Sequence, residues 1–573
     1  MPTKASLFEI LARNVTICDG TDFAFTGHLD RASLQRCAFC GRATHHVKKF
    51  DLATPGLVSR YVANNARKRP RLAAATVRNG QDGPMALVIG CDVGTQSSKG
   101  VLLDESGRVL ETATATHEVA FPAPAWAEQN PNDWTDAVAS IIARLAAAAG
   151  PQASEISHIG IDAQVDGVVA TDQNLRPLHA AIIWLDRRAV DHTTRIAEIA
   201  GADQVFKITG LNCDSSHGAP KMAWLLARLA DRPRWILPPA SYVTSWLTGE
   251  VAQDDANASS SMLWDVVKRA WSDVMLEAAG LDSDLLPPVM SSLDEIGTIR
   301  PQLAATLGLD PGCRVIAGTG DEHAAAVGAG AVAEGVLADV TGTAEPIGAP
   351  SLRPLFDEID QLVETHAHAV PGQWFIENPG FVSGGSTLWG AQLFDIDQAT
   401  FFELAVAAPA GSKGLIFIPA LSGSMAPRWN DLARGSFTGV SMEHERADFC
   451  RAVLEGCAYA LRDVVDRIDQ MGLPTNDVRV TGGGARSRLW LQIKADATNR
   501  AVRPVSGEGT ALGAAILAAM AAGWYPDLAT ATDKLIDIGE PVMPESNAVE
   551  ILDTNYRRYR ATFDGLEPTY GSG

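Results

Sequence analysis

The stretch Ala86-Leu87-Val88-Ile89-Gly90-Cys91-Asp92-Val93-Gly94-Thr95-Gln96-Ser97-Ser98-Lys99-Gly100-Val101-Leu102-Leu103-Asp104 reads as strand, tight turn, strand. An apolar run enters, small and hydroxyl residues follow Asp92, and a second apolar run leaves into the turn Asp104-Glu105-Ser106-Gly107. A turn with so little side-chain bulk lets backbone N–H groups and hydroxyls come close to an anion. An aspartate closing the first strand can face that anion through hydrated Mg²⁺, which takes a few carboxylates, waters and phosphate oxygens. An ordinary hairpin with an exposed Asp fits the same residues. Stretches further along the chain decide between the two.

Composition bounds the answer. The chain has 573 residues, 46% hydrophobic and 20% charged, enough to build at least two large domains. A net charge of -21 disfavours nucleic acid as the main partner. No apolar run is long enough to span a bilayer, and the start does not resemble a secretory signal. Eight scattered cysteines do not suggest a disulfide framework, so a reducing cytoplasm is expected.

Residues 1–84 are a different kind of sequence, with 13 Lys and Arg against 6 Asp and Glu. Within them, 64–80, containing Arg67-Lys68-Arg69-Pro70-Arg71, reads as a solvated, disordered linker or tail. Cys37 and Cys40 precede His45-His46, with Cys18 and His28 nearby, and could form half of a zinc site, although the second ligand pair is irregular. A zinc-dependent or nucleic-acid-binding module here is therefore a competing function class. Met85 directly precedes the first strand, so this extension also reads as a misassigned start.

After the opening hairpin a third strand is expected at Val109–His117. Pro131-Asn132-Asp133-Trp134 should start a helix that stops at Gly150-Pro151. His158–Asp162 is the next strand, followed by Ala163-Gln164-Val165-Asp166-Gly167 and a strand pair, Val168–Thr171 with Ala180–Trp184. Polar residues just after a strand of an α/β domain are where small ligands tend to bind, and plain turn chemistry also accounts for Gln164 and Asp166. In Val315-Ile316-Ala317-Gly318-Thr319-Gly320-Asp321-Glu322-His323 a strand ends in a Gly-Thr-Gly turn, and an acidic pair opens a small-residue helix. Such a carboxylate can take a proton from a substrate hydroxyl during phosphoryl transfer, or cap the helix, or both.

From Val336 the pattern begins again. Val336–Ala344, with Thr341-Gly342-Thr343, echoes Leu87–Thr95. Val478–Thr481 runs into Gly482-Gly483-Gly484 and then a helix, Ser487–Asn499. A turn without side chains suits a flat or anionic group lying against backbone. Two Gly/Thr hairpins, an acidic pair and a triple-Gly turn, spread over two similar halves, imply two α/β domains closing on a nucleotide.

At this point the chain resembles the FGGY carbohydrate kinases, which have the actin-like (ribonuclease H-like) ATPase fold, and within them the xylulokinase-like branch. The resemblance covers roughly 86–560. Gly435-Ser436-Phe437-Thr438-Gly439-Val440, then Asp448-Phe449 and Ala452-Val453-Leu454-Glu455, resembles the C-terminal signature. Leu415–Pro419, Leu421-Ser422-Gly423, Pro427 and Ala433-Arg434 resemble the segment leading into it. Trp184-Leu185-Asp186-Arg187-Arg188 and Ala219–Leu225 are similar to N-terminal stretches of the family, with Gly218 standing where Ser, Thr or Pro is usual.

The resemblance implies an N-terminal domain over 85–334 that binds sugar and phosphate, a C-terminal ATP-binding domain over 335–565, an interdomain cleft and a tail, 566–573. It further implies that Asp92 holds Mg²⁺ through water and that Gly94, Thr95, Gln96 and Lys99 belong to the first phosphate loop. Thr341, Gly342 and Thr343 would form the second phosphate loop, Gly482, Gly483 and Gly484 the adenosine-binding turn, and Asp321 the general base. Gly509–Ala515 would pack at the domain hinge. ATP and Mg²⁺ are the implied cofactors, and a homodimer is what the family suggests.

Two departures bear on substrate. Gln164-Val165-Asp166-Gly167 stands where xylulokinases usually read Gln-Met-His-Gly, and Asp321-Glu322 where they read Asp-Asn. With Trp184, these are the expected acceptor-binding residues. Ionised carboxylates only accept hydrogen bonds, so they suit neutral, hydroxyl-rich ligands and should repel an acid such as gluconate. The expected activity is ATP-dependent phosphorylation of a primary hydroxyl of a neutral ketose or polyol, a pentulose such as D-xylulose foremost. A polyol- or glycerol-type kinase, and an actin-like ATPase with no sugar substrate, are the alternatives.

Overall fold

The structure is a computed structural model and describes residues 85–507 and 509–570. It also describes two short strands, Val15–Cys18 and Asp22–Phe25, paired antiparallel. The chain divides into one unit up to Gln81 and another from Asp82 onward. Cys37, Cys40 and the basic segment 64–80, and so the zinc and linker readings, lie outside the described residues.

In the second unit two mixed sheets dominate. The first contains β1 (Leu87–Val93), β2 (Ser97–Asp104), β3 (Val109–Thr116), β4 (Ile156–Ala163), β5 (Glu295–Thr298) and β6 (Arg314–Ile316), in the order β5-β6-β4-β1-β2-β3. The hairpin β1–β2 pairs Leu87 with Asp104 and Val93 with Ser98, so the tight turn falls at 94–96. Helix α1 (Pro131–Ala149) starts where Asn130 accepts the Asn132 N–H and buries Trp134, Val138, Ile141, Ile142 and Leu145. That spacing puts one apolar stripe against the sheet.

One expected pairing is different. Val169–Thr171 pairs with Trp235–Leu237, and Ala181–Ile182 with Glu128–Gln129. Val168 and Ile182 form a single bridge between the two. The reason is geometric: each segment finds a fuller hydrogen-bonding partner from outside this short stretch.

The second sheet contains β7 (Gly335–Thr341), β8 (Ile347–Ser351), β9 (Glu364–Ala367), β10 (Trp374–Asn378), β11 (Thr475–Gly482), β12 (Ala501–Ser506) and β13 (Asp537–Ile538). Their order is β9-β10-β8-β7-β11-β12-β13. Strands β7 and β11 run parallel, and their register sets Thr341 opposite Gly482.

The two sheets meet through small residues. Helix α2 (Asp321–Gly328) packs on α3 (Gly509–Ala521), which also lies across β1 and β4. A Cβ on Gly513 would stand 1.8 Å from the Ala324 carbonyl, and one on Gly90 2.2 Å from the Ala511 carbonyl. Only glycine permits this approach of helix to helix and helix to strand. Elsewhere the edge strand β9 is covered: Ala367 N–H donates to Ser259 Oγ (3.0 Å) and Thr365 N–H to the Gly210 carbonyl (3.0 Å). Covering an edge removes a row of unpaired backbone groups and buries the side chains it carries.

Candidate active site

Asp321 is the first residue of α2, after a cap at Gly320 that has no side chain to offer. Asp321 and Glu322 therefore do not serve as the N-cap itself. The Glu322 N–H donates to Asp321 Oδ1 (3.0 Å), and the Val165 N–H also reaches the Asp321 carboxylate. Burial, and next the Asp92 carboxylate, push the Asp321 carboxyl up to about 8. Beside them, Asp162 lies opposite Asp92 on the neighbouring strand. Burial, then the Asp92 and Asp321 carboxylates, hold its pKa well above the usual carboxylate value. The three carboxyl groups lie near one another at the ends of β1 and β4 and the start of α2; among the described residues no group of three or more acids, histidines or cysteines is arranged to hold a metal ion directly, so a cation at Asp92 would be held through water.

Asp92 and Lys99, cross-strand partners in the opening hairpin, line a cavity of about 350 Å³. Val340, Thr481, Gly482, Gly483, Ala485 and Arg486 form another wall, and Ser506, Gly507, Gly509 and Thr510 a third. Thr341 presses on the triple-glycine turn: a Cβ on Gly482 would lie 2.6 Å from its carbonyl, and one on Gly484 within 2.9 Å of its side chain. Gly482 also has a φ of +76°, where a side chain would be strained. Gly342, Thr343 and Gly483 are exposed in the same turns. Sequence reasoning missed Arg486, Ser506, Gly507, Gly509 and Thr510 on the cavity side; the glycines at 507 and 509 were the available signal.

Behind Thr341 sits a fully buried cation. Lys494 Nζ donates to Asp339 (2.5 Å), Thr341 Oγ1 (2.6 Å) and Glu345 (2.9 Å). Burial alone would lower its pKa, but Asp339 and Glu345 outweigh it and hold the ammonium charged. Lysine in a helix facing a sheet gave no sign of this in the sequence.

Around the first turn, Trp184 Nε1–H donates to Thr95 Oγ1 (2.9 Å), and Gln129 Nε2 donates to the Thr95 carbonyl (2.8 Å). Gln164 in turn donates from Nε2 to Gln129 Oε1 (2.7 Å). Gly94 and Gln96 flank Thr95 in that turn. The loop bearing Trp184 is held by Arg188, whose guanidinium lies 3.7 Å from the Trp126 ring centroid and pairs with Asp186 and Glu128.

Around Asp166 the structure brings residues from the second sheet that the sequence did not disclose. Asp166 adopts a left-handed backbone (φ 59°), and its carbonyl accepts from buried Lys221 Nζ (2.8 Å). The Asp166 carboxylate faces His217 Nδ1 at 3.3 Å, and His217 Nε2 faces Glu364 of β9 at 3.4 Å. Burial opposes charge on His217, but Asp166 and Glu364 outweigh it and hold its pKa well above the usual value. His366 Nε2 faces Glu377 of β10 at 3.1 Å. Burial, then Glu377 and Asp321, raise the proton affinity of Glu322 well above that of an ordinary carboxylate. Glu322 and Glu377 are joined side chain to side chain by a hydrogen bond.

Residues 87–328 match the N-terminal domain of the FGGY family of carbohydrate kinases, and residues 337–522 match its C-terminal domain. The xylulose kinase of Escherichia coli K12 is 33% identical over 447 residues, 76% of this chain and 90% of that one. The xylulose kinase of Bacillus subtilis is 28% identical over 492 residues, 85% of this chain and 97% of that one. The crystal structure of a xylulose kinase from Rhodospirillum rubrum superposes with a TM-score of 0.79 at 27% identity, covering 84% of this chain and 99% of that one.

Proposed function

Because this chain belongs to the FGGY family of carbohydrate kinases, we propose that it transfers the γ-phosphoryl group of ATP to a primary hydroxyl of a small, uncharged, hydroxyl-rich acceptor, a ketose or polyol. Xylulose, which the names of its relatives carry, is the reference acceptor, tested as D-xylulose. The observation that carries the reading is the juxtaposition of Asp321, held by the Val165 and Glu322 amides, with the Asp92 end of a nucleotide-sized cavity.

The residues divide by what they can do. Gly482, Gly483 and Gly484 receive the adenosine, and Lys99 with the turns 94–96 and 341–343 lies against the phosphates. Asp92, with Asp162 and Asp321 nearby, fits a hydrated Mg²⁺; when bound, the ion offsets charge on the β- and γ-phosphates. Asp321 orients the attacking hydroxyl and takes its proton as the oxygen displaces ADP in line. Gln164, Val165, Asp166, Glu322 and Trp184 surround the acceptor. Residues 85–334 and 335–565 act as two domains whose closure excludes water and so limits hydrolysis of ATP. No helix among the described residues is long and apolar enough to cross a membrane.

The test is ATP turnover by the purified chain with ketoses, polyols and gluconate, and with Asp321→Asn as control. Turnover stimulated by one neutral acceptor and abolished in the variant supports the reading. Turnover indifferent to every acceptor, or undiminished in Asp321→Asn, would replace it with an actin-like ATPase that has no sugar substrate.

A further inference from the structure

The turn Gly318-Thr319-Gly320, which delivers Asp321, carries a single side chain, that of Thr319. Its glycines are pressed close to their neighbours: a Cβ on Gly318 would stand 2.0 Å from the Ile161 carbonyl, and one on Gly320 2.3 Å from Val165 Cγ1. Thr319 and Gly320 lie opposite Asp162 and Ala163 of β4. Backbone pairing therefore sets the register of the turn, and the Thr319 hydroxyl is its only side-chain hydrogen-bonding group.

That hydroxyl is buried and donates to Asp254 Oδ2 (2.7 Å). Asp254 is fully buried as well, and no step of the phosphoryl transfer described above uses it. Its other oxygen accepts the Asn257 backbone N–H (3.1 Å) and side-chain Nδ2–H (2.7 Å), which caps the helix Asp255–Ser260. At the far end of that helix Ser259 Oγ accepts the Ala367 N–H, and Ser260 Oγ lies 3.3 Å from His366 Nδ1, both residues of β9. Asp254 thus ties the turn before Asp321 to a helix that the second sheet holds.

We propose that Asp254 is a positioning residue for the phosphoryl transfer: through Thr319 it fixes the turn that aims the Asp321 carboxylate at the attacking hydroxyl. This rests on the kinase reading above and adds to it a carboxyl that reaches the site only through another side chain. A base has to stand within about 2.6–3.2 Å of the hydroxyl it deprotonates. A misplacement of about 1 Å costs on the order of 10²-fold in rate, even when its origin is remote from the chemistry. Substrate binding depends on other contacts, so the loss falls on kcat rather than on KM.

The experiment measures kcat and both KM values of the full chain with ATP and its best neutral acceptor. Thr319→Val keeps the branched shape and removes the donor, while Thr319→Ser keeps the donor. Thr319→Val should lower kcat about 10–100-fold with both KM values within about threefold of wild type, and Thr319→Ser should stay within about threefold in kcat. Combined with Asp321→Asn, Thr319→Val should change the residual rate less than about twofold, because a residue that acts through Asp321 has nothing left to aim. Asp254→Ala should slow the enzyme as Thr319→Val does, and the two together no further. Asp254→Ala also removes the helix cap, so if it does not fold, Thr319→Val decides. A folded Thr319→Val with the wild-type kcat overturns the inference. So does Thr319→Ser as slow as Thr319→Val, or an equal loss when Thr319→Val is added to Asp321→Asn, which would make the bond merely structural. Each of these leaves the kinase reading standing, whereas a wild-type chain that no acceptor stimulates removes both.

Discussion

At the scale of single residues, Asp321 carries two opposing consequences of one environment. Its carboxyl is pushed from the ordinary value of 3.8 up to about 8 by burial and by Asp92. In the folded chain it therefore keeps a proton that the unfolded chain releases. The folded state binds more protons between those values, so its stability falls as pH rises from about 4 to about 8. Asp321→Asn abolishes that slope. Thermal unfolding should show the variant gaining on wild type between pH 5 and pH 8, by about 2 °C or more, while phosphoryl transfer drops roughly 10²–10⁴-fold. A gap in Tm that does not change with pH would mean that Asp321 titrates normally. Trp184 makes a second residue-scale case. Its indole N–H holds Thr95 in the turn between β1 and β2, so Trp184→Phe keeps the ring and loses one bond worth about 1 kcal/mol. The KM for ATP should rise about fivefold, with a smaller effect on the acceptor's KM, as read from two substrate titrations.

At the scale of elements, the parts most legible as family signature are packing devices. Ser436–Thr438 pairs with Ile416–Ile418, and Glu455 accepts from the Gly411 N–H and pairs with Arg451. A Cβ on Gly456 would lie 2.4 Å from the Phe417 carbonyl. The same logic governs α3. Gly513→Ala would drive a methyl into the Ala324 backbone and should cost about 1–3 kcal/mol or more. Gly565→Ala, late in the helix Ser546–Leu566 with nothing within 4 Å of the added atom, should be neutral or stabilise by up to about 1 kcal/mol. Chemical denaturation of the two variants separates close packing from helix propensity. Lys494 joins helix Arg488–Thr498 to β7. Lys494→Met would leave Asp339 and Glu345 buried without their cation, at about 3–5 kcal/mol. A lower Tm together with a higher KM for ATP is the expected pair of results, because Thr341 loses the same donor.

At the scale of the whole molecule, the kinase match begins at residue 87, just after a unit that ends at Gln81. A chain starting at Met85 should therefore keep acceptor-stimulated ATP turnover at the full-length level. Loss of turnover in a folded truncation would assign the extension a part in the activity.

Local pattern was enough for much of this protein. Alternating and continuous apolar runs, a Gly/Thr turn after an aspartate, Pro131 opening a helix and three glycines closing a strand each depend on neighbours in sequence. The hairpin, α1, the strand into α2 and the triple-glycine turn are accordingly found where those patterns stand. The family and its chemistry followed from the same short-range signals. Tertiary structure alone decided the cluster of acids and imidazoles, because Asp166, His217, Glu364, His366 and Glu377 are separated by up to some two hundred residues and meet only when β9 is covered by the first half of the chain. It also decided protonation. How strongly Glu322 holds a proton depends on how much water burial removes and on which carboxylate arrives beside it, and neither is written in the residues next to it.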